Sequence, residues 1–186
     1  KWIVKYLVEN TVGRIWLDKN PESKIRNSMK YLVESENAEP CIPIISDVTE
    51  LKALDPAVGS AHFLVVAFDL LMQMYKEEGY TNRYAVEAII THNLYGLDIC
   101  KRAVGLANFA VLLKAASYYP DILSKEFTPH IVAMPEPHEF NLQQIYDFLG
   151  EDGKQYAAEL QKALSIMQQA QNIGSALIID LSANAR

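Results

Sequence analysis

Positive charge is scarce in this 186-residue chain: 17 Lys and Arg stand against 23 Asp and Glu, a net charge of −6. A complete nucleic-acid-binding protein normally carries a basic footprint. A nucleic-acid enzyme could still contain this sequence if the parts that grip the polyanion lie elsewhere. Long apolar runs are also missing. None approaches the roughly 18 residues that read as a membrane span, although 50% of the residues are hydrophobic, and no membrane partner is expected. No signal-peptide pattern opens the sequence. Cys41 and Cys100 are the only cysteines and show no pairing signature, so a reducing cytoplasm is the expected setting. His62, His92, His130 and His138 form no His-x-x-x-His pair, and no metal site is expected. The Gly-x-Ser-x-Gly elbow and the Gly-Lys-Ser/Thr phosphate loop are absent as well.

The informative stretch that is present runs Leu54-Asp55-Pro56-Ala57-Val58-Gly59-Ser60-Ala61-His62-Phe63-Leu64. An apolar run, Leu51 to Leu54, stops at an acid and a proline. A turn of small residues follows, then an apolar-periodic stretch from Phe63 to Tyr75. This pattern predicts buried strand, tight loop and helix. Small residues let a ligand approach the backbone, and a helix start offers free N–H groups. A second patch, Asn93-Leu94-Tyr95-Gly96-Leu97-Asp98-Ile99, is a short apolar run ending in an acid. In a doubly wound sheet the acid at the tip of the second strand reaches ribose hydroxyls. A carboxylate suits a diol because it accepts two hydrogen bonds. The plainer alternative is that Asp98 only starts the next helix.

Coarse patterning places a helix over Trp2 to Leu17 and another over Pro21 to Glu36, with Ile25, Met29, Leu32 and Val33 on one side. A proline-punctuated loop covers Ala38 to Val48. Strands are expected at Leu51–Leu54, Leu94–Asp98 and His130–Met134. Helices are expected over Ala61–Gly79, Arg83–His92, Lys101–Tyr118, Asn141–Leu149 and Gly153–Gln171. Gly174 to Leu181 reads as a strand or a further helix start. The Lys101–Tyr118 helix has little polar face and is expected between layers. Alternating strands and helices argue for α/β layers with a mainly parallel sheet.

The loop wording resembles the first motif of class I S-adenosylmethionine-dependent methyltransferases, specifically the N6-adenine DNA methylases. Their usual form is Asp-Pro-Ala-Cys-Gly-Ser-Gly-x-Phe-Leu. Asp55, Pro56, Ala57, Gly59, Ser60, Phe63 and Leu64 match it; Val58 stands where Cys is usual and Ala61 where a second Gly is usual. The second patch is similar to Asn-Leu-Tyr-Gly-Ile-Asp-Ile-Asp of that family. The resemblance implies a Rossmann-like core, incomplete here and carrying an N-terminal helical extension. It also implies S-adenosyl-L-methionine as cofactor. The 55–63 loop would cradle its methionine part, Asp98 would bind the ribose, Ile99 would pack on the adenine, and Glu136 would sit near the adenine amino group. The likeness covers roughly Lys1 to Ala116 and is closest to the large methylases of phage-exclusion systems and fused restriction–methylation enzymes.

The family's catalytic Asn/Asp-Pro-Pro-Tyr/Phe motif is absent, so no catalytic residue is assigned. Asn20-Pro21-Glu22-Ser23 lacks its second proline and its aromatic. The Thr-Pro turn that precedes the first helix in the family is also absent. The expectation is therefore a piece of a longer DNA adenine-N6 methyltransferase, with residues 1–50 as a helical lead-in and 51–186 as a partial cofactor domain. DNA would be held by the missing parts, with restriction or defence-system subunits as candidate partners. Two alternatives remain open: a methyltransferase acting on another substrate, and a non-catalytic scaffold of the same fold.

Overall fold

The computed structural model of the chain describes residues 2–33, 45–135, 140–168 and 178. Cys41, Glu136, His138 and nearly all of the expected 174–181 element lie outside the described residues. Two compact units emerge, Lys1–Met134 and Pro135–Arg186.

The first unit opens with α1 (Trp2–Val8), a π-helical turn over Glu9–Gly13, and α2 (Arg14–Lys19). Side chains explain the wide turn. Asn10 Nδ2 donates to the Tyr6 carbonyl at 2.7 Å, and Thr11 Oγ1 to the Leu7 carbonyl at 2.7 Å. In an α-helix those carbonyls would accept N–H groups four residues on, so each side chain competes with its own backbone amide. The same device recurs in a second π-turn, Ile89–Asn93, which follows α4 (Asn82–Ala88). There Thr91 Oγ1 donates to the Glu87 carbonyl at 2.8 Å.

The expected helix over Pro21 to Glu36 does not form within the described residues. A 3₁₀ turn covers only Lys24–Ser28, capped by the Ser23 side chain. Beyond it, polar side chains of the first helical stretch take the backbone. The Tyr31 N–H donates to Glu9 Oε2 at 2.6 Å, and the Val33 N–H to Asn10 Oδ1 at 2.8 Å. Those amides are then unavailable to a helical ladder. Ile25 and Met29 are nevertheless buried, as their spacing required.

Three parallel strands, β1 (Ala53–Asp55), β2 (Leu94–Asp98) and β3 (His130–Ala133), lie in the order β1-β2-β3. Asp55 pairs with Gly96, and Asp98 with Ala133. Parallel pairing demands long crossovers. α3 (His62–Glu77) and α4 carry the first, and α5 (Lys101–Tyr118) the second. Leu94, Gly96 and Ile131 are buried, whereas Leu54 and Val132 on alternate positions are exposed. α3 is the centre of the core, burying Leu64, Ala67, Phe68, Leu71, Met74 and Tyr75 at helical spacing.

α5 departs from expectation. Ala107, Val111 and Ala115 are buried, but Leu106, Phe109 and Leu113 are about half exposed or more. Among the described residues it is a one-sided cover rather than a layer between layers. One buried polar network ties the core to the sheet. The Tyr75 hydroxyl donates to Asn93 Oδ1 at 2.8 Å, and Asn93 Nδ2 donates to the Val48 and Leu51 carbonyls at 2.8 and 2.7 Å.

In the second unit, α6 (Leu142–Gly153) starts with a reciprocal cap between Asn141 and Gln144 and kinks at Gly150, where φ is 66°. A 3₁₀ turn, Lys154–Tyr156, leads into α7 (Ala157–Met167). No helix among the described residues is long and apolar enough to cross a membrane.

Candidate functional site

Asp55 ends β1 and Asp98 ends β2, so parallel pairing brings two acids to the same edge of the sheet. The loop between β1 and α3 is then folded back onto β2. The Val58 N–H donates to the Leu97 carbonyl at 2.8 Å, and the Gly59 N–H to Asp98 Oδ2 at 2.9 Å. Asp98 Oδ1 accepts the Cys100 N–H at 2.8 Å. These N–H donors, Cys100 first and then Gly59, hold the Asp98 carboxyl below the usual carboxylate range.

The loop depends on unusual backbone at two places. Gly59 has φ of 50° and Ala61 has φ of 63°, the second serving as the residue before α3. Ala61 is wholly buried. Its methyl group, which stands where the related motif carries glycine, therefore packs in the core. Gly96 permits the close approach of loop to sheet. A Cβ placed there would lie 3.0 Å from Val58 Cγ2 and 3.2 Å from Ile131 Cγ2. Ser60 Oγ and His62 Nδ1 are 2.8 Å apart on the exposed side of the loop.

Asp55 Oδ1 accepts the Ala57 N–H at 3.1 Å, while its Oδ2 is buried with no protein donor. A cavity of about 260 Å³ lies beside it. Asp55, Pro56, Phe63 and Leu64 form one wall of that cavity; Leu7, Val8, Thr11 and Val12 form part of another. Sequence reasoning did not anticipate these four residues. Their apolar spacing reads equally well as ordinary core.

The structure brings Asp55, Ala57, Gly59, Ser60 and Asp98 together around one loop, with Pro56 and Phe63 on the cavity. Ile99 follows Asp98 with its side chain 68% exposed, leaving an apolar surface free beside the acid. Glu136 lies outside the described residues. Among the described residues, no group of three or more His, Cys, Asp or Glu side chains gathers as a metal ion would need.

Comparison with known proteins bears on this geometry. No protein-family model matches the chain. The adenine-specific methyltransferase BrxX of Escherichia coli O9:H4 (strain HS) is 37% identical over 143 residues, covering 73% of this chain and 12% of the relative. The adenine-specific methyltransferase PglX of Lacticaseibacillus casei (strain Zhang) is 36% identical over 149 residues, covering 72% of this chain and 12% of the relative. A candidate type II restriction enzyme and methyltransferase of Methanocaldococcus jannaschii is 33% identical over 121 residues, covering 61% of this chain and 10% of the relative. The chain thus spans about an eighth or less of the length of these curated relatives. With such identity running through most of its length, the chain belongs to the adenine-specific methyltransferase family.

Proposed function

We propose that this chain forms the cofactor-holding half of an S-adenosylmethionine-dependent methyltransferase, and that the whole protein methylates adenine N6 in DNA. The observation that carries this reading is the meeting of Asp55 and Asp98 at adjacent strand ends, each accepting an N–H of the one loop between β1 and α3, Ala57 to Asp55 and Gly59 to Asp98. In open α/β sheets, ligands bind outside the carboxyl ends of the strands, where the strand order reverses. In the common doubly wound order that reversal lies beside the first strand, and the cavity lies at β1.

The residues present fit such a cofactor. Each Asp98 oxygen accepts one backbone N–H and keeps further acceptor capacity, enough for a ribose diol. Asp55 Oδ2 is buried and lacks a donor, a suitable partner for an amino-acid ammonium. Ile99 offers its exposed face to a purine. Pro56, Ala57, Gly59, Ser60 and Phe63 would line the methionine part, and we extend the same proposal to Glu136 at the adenine. When bound, the cofactor supplies a methyl group on a sulfonium, a good leaving group. The chain's task is then to orient and to keep water out.

DNA contacts would fall to regions beyond this acidic chain, which suits its net charge of −6. Bacterial restriction–modification or phage defence, in the cytoplasm, is the setting we propose from the resemblance. Calorimetric titration with S-adenosylmethionine and S-adenosylhomocysteine, beside Asp98→Ala, tests the reading. The expected result is saturable binding, weakened roughly tenfold to a hundredfold by the substitution. Equal binding by the variant would remove the role of Asp98, and a parent protein that binds neither compound would remove the reading.

A further inference from the structure

The π-turn Glu9–Gly13 has two faces with different duties. Thr11 and Val12, with Leu7 and Val8 one turn earlier, line the cavity beside Asp55. Glu9 and Asn10 point the other way and hold the 29–33 segment. Asn10 Nδ2 donates to the Tyr31 carbonyl at 2.7 Å and to the Tyr6 carbonyl at 2.7 Å, while Asn10 Oδ1 accepts the Val33 N–H at 2.8 Å. Glu9 Oε2 accepts the Tyr31 N–H at 2.6 Å, and Arg14 Nη1 donates to the Val33 carbonyl at 3.3 Å. One carboxamide thus does two jobs. It takes the carbonyl that the wide turn releases, and it pairs with the 29–33 backbone as a neighbouring strand would.

We propose that Asn10 is a positioning residue for the cofactor: by clamping the 29–33 segment behind the π-turn, it sets where Thr11 and Val12 stand in the cavity. This rests on the cofactor reading above and names a residue outside the motif loop. Three features support it. The Asn10 contacts are solvent-exposed, and exposed hydrogen bonds contribute little to global stability. The segment packs closely at the far end of the same turn, where a Cβ on Gly13 would meet Met29 Sδ at 2.9 Å. The turn is therefore braced on both sides of its cavity-lining residues. Finally, the cavity touches Asp55 and not Asp98, so its wall concerns the amino-acid end of the ligand rather than the nucleoside.

The last point supplies the test. S-adenosylhomocysteine and 5′-methylthioadenosine share the nucleoside and differ in the amino-acid tail. Their affinities are measured calorimetrically on the full-length protein, its Asn10→Ala variant and its Val33→Pro variant. The second variant leaves the helix sequence intact and removes one donor to Asn10. Both variants should weaken S-adenosylhomocysteine about tenfold and leave 5′-methylthioadenosine unchanged. Equal losses for both ligands, or no loss for either, would overturn the proposal, since a merely structural role would not separate them. A parent protein that binds neither ligand would refute the cofactor reading itself, and this inference with it.

Discussion

Gly96→Ala and Gly105→Ala are the same chemical change and should have opposite effects. At Gly96 the new methyl group enters a closed space, 3.0 Å from Val58 Cγ2 and 3.2–3.3 Å from two Ile131 carbons. Neither neighbour retreats easily. Val58 is tied through its N–H to Leu97 and through its carbonyl to the Ala61 N–H, both at 2.8 Å. Ile131 is tied to Pro129 through its N–H and to Asn108 through its carbonyl. Overpacking of this kind costs about 1–3 kcal/mol. Restricting the unfolded chain returns about 0.4–1 kcal/mol, so a net loss of up to about 2.6 kcal/mol is expected. Gly105 sits within α5 with nothing within 4 Å of its added Cβ, so alanine there should stabilise by about 0.5–1 kcal/mol. Urea unfolding of the two variants reads the difference directly. In Gly96→Ala, amide exchange at Val58 and Gly59 should also quicken, because the loop is what must move. A Gly96→Ala protein more stable than the parent, so that both variants shift in the same direction, would refute the packing argument.

Two further predictions concern buried and titrating groups. Tyr75→Phe should cost about 1–3 kcal/mol, because Asn93 Oδ1 is left buried without its donor; a neutral result in thermal unfolding would mean that water replaces the hydroxyl. Asp98 has a folded pKa below its unfolded value, so its stabilisation is complete above the unfolded value near 3.9 and is lost as pH falls through the lower folded one. Asp98→Asn should accordingly flatten the decline of stability below about pH 4, and parallel acid-unfolding curves for parent and variant would contradict this.

The parts of this molecule that sequence reveals are those whose chemistry is local. Asp55, Gly59 and Asp98 announce themselves because an acid at a strand end and a small-residue loop form a recognisable pattern, and they meet at one edge of the sheet. Parallel pairing of the strands was likewise implied by alternating elements. The helix expected over Pro21 to Glu36 was misjudged for a non-local reason. Side chains at Glu9 and Asn10, more than 20 residues away, claim the backbone of Tyr31 and Val33. Burial of α5 was overestimated because an apolar helix looks the same whichever surface covers it. Leu7, Val8, Thr11 and Val12 on the cavity, and the Asn93 network, depend on which distant segments meet, which periodicity does not encode.

The π-turns also govern rotational phase. A turn closed from residue i to i+5 holds one residue more than an α-helical turn, and each residue of a helix advances about 100° around its axis. Val8 in α1 and Trp16 and Leu17 in α2 are buried on either side of such a turn. Closing Glu9–Gly13 into ordinary helix with every residue kept would swing α2 by about 100° relative to α1. Trp16 would leave the core. The wide turn is thus a phase setting: it takes up one residue without turning α2 away from the core.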